Sequence, residues 1–132
     1  MIQQNDSYSS VYHEGKPNAK AETVQVLLEH GADVTARDDT HSTPLHVSSS
    51  KGSPEIAQLL IEHGADVNAQ DGNHSMPLHL ALSSWSPETM WLLIRQGADI
   101  NARDGSDKTP LHLASCRVSA ESVRLLVRHG LM

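Results

Sequence analysis

Thr43-Pro44-Leu45-His46 returns as Met76-Pro77-Leu78-His79 and again as Thr109-Pro110-Leu111-His112, with a step of 33 residues each time. A second landmark keeps the same step: Gly31-Ala32-Asp33-Val34, then Gly64-Ala65-Asp66-Val67, then Gly97-Ala98-Asp99-Ile100, and finally Gly130. A fixed period of this length marks a solenoid, because each repeat is too small to bury its own apolar face and must stack on its neighbours. The product is an extended surface.

The second repeat shows the local logic most fully. Asp38-Asp39-Thr40-His41-Ser42 is a polar run of residue types that tolerate tight turns and left-handed geometry. Pro44 then takes a first helical position, where its missing N–H costs nothing, and a short helix is predicted from about Pro44 to Ser50. Gly52 can take the left-handed conformation that closes it. Ser53-Pro54-Glu55 supplies an N-cap hydroxyl, a proline and an acidic group beside the positive end of the helix dipole. Ile56 to His63 carries apolar residues at helical spacing and ends at Gly64. The third repeat copies this as Pro77 to Ser84 and Thr89 to Gln96, the fourth as Pro110 to Arg117 and Ser122 to His129. Before Gly31, Val24, Val26, Leu27 and Leu28 make a second helix, with Lys20 where the capping serine belongs. Gly15 and Pro17 oppose the first helix there. The reading is all-α, with about three full repeats plus a degenerate N-terminal one. The boundaries fall at about 1–37, 38–70, 71–103 and 104–132; residues 19–132 form the repeat domain and 1–18 a frayed segment or a remnant first helix.

Composition narrows the function classes. Phe is absent and aromatics are 3% of the chain, so the core is built from Leu, Val, Ile and Ala, which suit closely stacked helix pairs. Ten Lys and Arg against sixteen Asp and Glu give a net charge of −6, which argues against nucleic acid or an anionic membrane as ligand. Met1 to Ser10 carries no signal-peptide pattern and no stretch approaches membrane-spanning length, so an intracellular protein, cytoplasmic or nuclear, is expected. The lone Cys116 fits a reducing compartment.

Nine histidines raise the question of a metal. His46, His79 and His112 hold one framework position in successive repeats, which helix packing sets roughly 8–10 Å apart. They cannot share a zinc ion, whose bonds to nitrogen are about 2.0 Å. His30, His63 and His129 stand at helix C-termini, where the dipole favours an imidazolium. Cys116 has no glycine-rich elbow and no oriented base. No catalytic, cofactor-binding or metal-ligating residue is assigned. Ser53 and Ser86 precede proline and could accept phosphate at a helix N-terminus, although capping explains them alone.

Thr-Pro-Leu-His followed by Gly-Ala-Asp-Val-Asn-Ala at this phase resembles the ankyrin repeat family over roughly residues 22 to 130. The resemblance implies a cupped stack whose loop tips and first helices form a concave, protein-gripping face, and it implies no chemistry. Where the family has glycine two residues before Thr-Pro, this chain has His41, His74 and Asp107, residue types that tolerate positive φ. Met76 removes a hydroxyl that in the family helps tie the turn through the motif histidine, so Met76→Thr is expected to raise stability.

The family's exposed positions fall here on Asp39, Thr40, Ser42, Ser50 and Lys51, then Gly72, Asn73, Ser75, Ser83, Ser84 and Trp85, then Ser106, Lys108, Cys116 and Arg117. Trp85 replaces the glycine between the helices of the third repeat, and a partner contact or a fold back over Met90 both fit it. Trp91 stands where the neighbouring repeats have Gln58 and Arg124, away from the expected groove, and is read as folded back. The functional reading is a protein-protein interaction module, a scaffold or adaptor segment of a longer protein, with a protein partner and no cofactor. The rival reading is a structural spacer in a long array, and catalysis is the weakest third. No polar capping helix follows Val123, Leu126 and Val127, so the isolated chain is expected to self-associate end to end.

Overall fold

The computed structural model describes residues 19–117 together with 124, 127 and 128. Among the described residues six helices are defined: α1 Ala19–Glu29, α2 Pro44–Lys51, α3 Pro54–Glu62, α4 Pro77–Ser83, α5 Pro87–Arg95 and α6 Pro110–Arg117. Among the described residues there is no strand. Residues 1–18 and the helix expected over Ser122 to His129 lie outside the described residues, apart from positions 124, 127 and 128.

The chain divides into two compact units, 1–33 and 34–132. The first contributes α1, which contains Lys20 rather than starting after it. Leu28 is buried on this helix, while Val26 and Leu27 are exposed. In the second unit the period becomes architecture. First helices form one row, with α4 packed on both α2 and α6, and second helices form another, with α3 packed on α5. Within repeats, α2 packs on α3 and α4 on α5.

The core lies between these rows. Leu45 and Leu78, the motif leucines, are 0% exposed, and Leu82, Met90 and Leu93 are as fully enclosed. Each such side chain contributes roughly 1.5–3 kcal/mol on leaving water. Ala57, Ala81 and Ala114 are fully buried too, their small size letting helices approach closely. Leu111 is half-buried.

The helix ends explain why the turns are so short. After α2, Gly52 takes φ 69 and its N–H donates to Ser49 O, while Ser53 N–H donates to Ser48 O. Second helices close in the same way: Gly64 at φ 99 donates to Ile61 O and Gly97 at φ 98 to Ile94 O. This paired closure satisfies carbonyls that the helix leaves orphaned. Since Ser53 is both the residue that closes α2 and the one that opens α3, its ψ of 87 differs from the extended 167 of Thr43. The expected serine caps are therefore absent. Neither Ser53 nor Ser86 makes a side-chain cap bond, and Ser86 Oγ instead donates to Thr89 Oγ1 at 2.9 Å. Proline at the first helical position and Glu55 or Glu88 in the first turn open these helices.

The motif histidines are structural, and their bonding fixes their tautomer. Thr43 N–H donates to His46 Nδ1 at 3.0 Å, so Nδ1 must accept, and Nε2–H donates to Ser75 O of the next repeat at 2.9 Å. His79 repeats the arrangement, taking Met76 N–H on Nδ1 and bonding Ala102 O from Nε2 at 3.0 Å. His30 and His63 use the opposite nitrogen: Nδ1 bonds Val26 O and Leu59 O, each at 2.9 Å, which requires a proton there.

Burial reverses the sign expected at Met76. The backbone half of the cap is already made, and Met76 is only 3% exposed. A threonine hydroxyl adds about 1 kcal/mol of capping, while removing a buried methionine forfeits about 1.5–3 kcal/mol before any cavity term. Met76→Thr is expected to lower the thermal unfolding midpoint, as calorimetry would show. Ser49 poses the reverse case: its hydroxyl is fully buried with no hydrogen-bond partner among the described residues. Ser49→Ala is expected to stabilise the fold by about 1 kcal/mol in urea titrations, since the desolvated hydroxyl is removed.

Candidate functional site

The loop tips are built on three aspartates in register. Asp38 Oδ1 accepts from Thr40 N–H at 2.9 Å and Ser42 N–H at 3.0 Å. Asp71 Oδ1 takes Asn73 and Ser75 N–H, and Asp104 Oδ1 takes Ser106 and Lys108 N–H. Each loop turns at a residue with positive φ: His41 at 62, His74 at 60 and Asp107 at 62. These positions accordingly hold residue types that enter the left-handed region at modest cost.

Successive tips are stitched together. Gly72 N–H donates to Thr40 O at 3.0 Å and Gly105 N–H to Asn73 O at 2.8 Å. A Cβ on Gly105 would stand 2.7 Å from that carbonyl oxygen, so glycine permits the approach. Arg37 bridges repeats by donating to His41 O and Gln70 O at 2.8 and 2.7 Å. Below the tips, Asn68 donates to Gly97 O at 3.2 Å and accepts Asp99 N–H at 2.8 Å.

Two carboxyls are held below their ordinary value of 3.8 by these loops. At Asp38 the main cause is the Ser42 N–H, followed by the Thr40 hydroxyl and N–H. At Asp104 partial burial pushes the carboxyl up, and the N–H groups of Lys108 and Ser106 more than offset it.

Between the first helices and the next turns lies a groove of about 610 Å³, lined by Ser50, Lys51 and Gly52 on one side and Ser84, Trp85, Ser86, Pro87 and Glu88 on the other. Here four of the sequence-predicted positions, Ser50, Lys51, Ser84 and Trp85, come together. Trp85 is half-buried at φ 54. Its N–H donates to Leu82 O at 3.2 Å and Ser86 N–H to Ala81 O at 2.9 Å, the same closure that Gly52 and Ser53 make one repeat earlier. A tryptophan thus occupies a glycine conformation.

The remaining predicted positions are spread along the tips and helix ends. Asp39, Thr40, Gly72, Asn73, Ser83, Ser106, Lys108 and Cys116 are exposed. Ser42 and Ser75 are half-buried, and the Ser75 carbonyl is committed to His46. The side chain of Arg117 lies outside the described residues. Gly52, Ser86, Pro87 and Glu88 line the groove as well, although their sequence pattern signals only helix closure and opening. Among the described residues no three His, Cys, Asp or Glu side chains are grouped to hold a metal ion, and no helix is long and apolar enough to cross a membrane.

Family models agree with this geometry. Residues 27–81 match a model of ankyrin repeats in many copies, residues 70–132 a model of three ankyrin repeats and residues 11–39 a single ankyrin repeat. The chain belongs to the ankyrin repeat family, whose members are generally protein-protein interaction modules and generally not enzymes. No curated protein matches the chain.

The loop carboxylates make stability dependent on acid. A carboxyl whose folded value is depressed contributes stability that is fully present above its unfolded value and is lost as pH falls through the folded one. The contribution of these two carboxylates to the unfolding temperature is therefore expected to hold steady above about pH 5 and to be lost as pH passes below 3.8. Thermal melts of Asp38→Asn across this range should show a shallower acid limb than the parent chain.

Proposed function

We propose that this chain is a scaffold or adaptor module that grips a protein partner with its concave face of loop tips and first helices, with Trp85 as the anchor. The observation that carries the reading is the conformation of Trp85. A bulky residue at φ 54 is a steric outlier, and left-handed geometry costs a non-glycine residue roughly 1–2 kcal/mol. The preceding repeat meets the same turn requirement with Gly52. Strain of this kind concentrates at functional sites, and here it sets an indole beside Lys51 and Glu88 in an open groove. Aromatic rings in such positions dominate interface energetics.

The surrounding surface suits a partner held by hydrogen bonds around one apolar anchor. Ser50, Ser84 and the tip residues Thr40 and Asn73 offer short polar groups, and binding should be moderate rather than tight.

Two measurements separate anchor from framework. Trp85→Gly is expected to be more stable than Trp85→Ala by about 1 kcal/mol, the reverse of their usual order, because only glycine relieves the left-handed strain. Both variants, and the double variant Trp85→Ala with Lys51→Glu, should lose a specific partner band in affinity pull-downs while keeping the parent circular dichroism spectrum. Equal capture of that band by all of them would remove the anchor role of Trp85, and a parent chain that captures no specific band would be a spacer.

A further inference from the structure

A second groove, of about 620 Å³, runs along the second helices, between α3 and α5. Its apolar floor consists of Leu59, Leu92 and Trp91, all half-buried. Its rim carries the carboxylates of Glu55, Glu62 and Glu88, all exposed, against the single guanidinium of Arg95. Trp91 is an addition specific to this repeat, since the equivalent position one repeat earlier is Gln58. The groove exists because the two helices present residues in identical register, so an aromatic ring in one repeat meets an acidic edge in both.

From this juxtaposition we infer that the groove docks an arginine-bearing, net-positive peptide segment of a partner protein. Three carboxylates against one cation leave the rim negative and favour a basic ligand. A phosphate backbone would be repelled, and a second copy of this chain, itself at −6, brings the wrong sign. Arginine fits better than lysine for two reasons. Its planar guanidinium stacks on an indole, and its fork of donors matches a carboxylate. Glu62 already accepts Gln58 Nε2 at 2.9 Å on one oxygen, which holds its carboxylate at the groove edge. Leu59 and Leu92 would cover the aliphatic part of the segment.

The probe is a fluorescein-labelled heptapeptide alternating arginine and leucine, titrated with the full chain by anisotropy at low salt, beside lysine-leucine and glutamate-leucine counterparts. The arginine peptide is expected to bind several-fold more tightly than the lysine one, and the glutamate peptide not to bind. Trp91→Gln should weaken the arginine peptide about fivefold, in line with a partly desolvated cation–π contact. Gln58 at the equivalent position shows that the fold accommodates this side chain. The double variant Glu55→Gln with Glu62→Gln alters two exposed side chains that line this groove and not the one beside Trp85, and it should weaken binding and reduce its salt dependence. Trp85→Ala should leave this binding unchanged, which separates the groove from the concave face. Unchanged affinity in Trp91→Gln, equal binding of the arginine and lysine peptides, or indifference to the carboxylate pair would overturn the assignment.

Discussion

Everything in the second compact unit depends on neighbouring repeats covering one another's apolar faces. A helix pair of this size cannot enclose Leu45 or Leu78 by itself, yet both are fully buried once α2 packs on α4 and α4 on α6. The requirement repeats at each interface, so the framework positions are held to one pattern and the positions facing away from it are released. That division between constrained and free positions allows one fold to present different surfaces.

Polar bonds fix the spacing that hydrophobic burial leaves loose. Burial is non-directional, whereas the bonds from His46 to Ser75, from Asn68 to Gly97 and from Gly72 to Thr40 each cross from one repeat to the next at a defined distance. The histidines show how one residue type serves two ends. Where a backbone N–H points at Nδ1, as at His46, the ring donates from Nε2 across the repeat boundary. Where Nδ1 faces a helix carbonyl, as at His63, the ring closes its own helix. At His46 both imidazole nitrogens are occupied with framework duties, and at His63 Nδ1 is.

The two grooves arise from the same regularity and differ in what interrupts it. Between the first helices and the following turns a tryptophan replaces a glycine, and the turn keeps its geometry at the expense of backbone strain. On the second-helix side a tryptophan replaces a polar residue in a regular helix, so no strain is involved and the consequence is an aromatic floor beneath acidic edges. Departures from the period mark where the surface acquires character.

The sequence by itself determined the period, the helix pairs and the residues that turn the chain. Proline at the first helical position, glycine at the helix ends and His41, His74 and Asp107 at the tips have conformational preferences set within a few bonds, so they are readable without neighbours. The motif leucines could likewise be placed in the core from their repetition. Only the tertiary structure decided matters that depend on what lies beside a residue. It showed that Ser53 and Ser86 do not cap, because each also closes the preceding helix, and that Met76 is buried, because the adjacent repeats enclose it. It also showed that Trp91 lines a groove, because α3 brings its acidic face alongside. Local conformation is written in the chain, whereas burial and charge environment come from residues of the neighbouring repeat, such as Ala102 beside His79 and Ser75 beside His46, brought close only when the repeats stack.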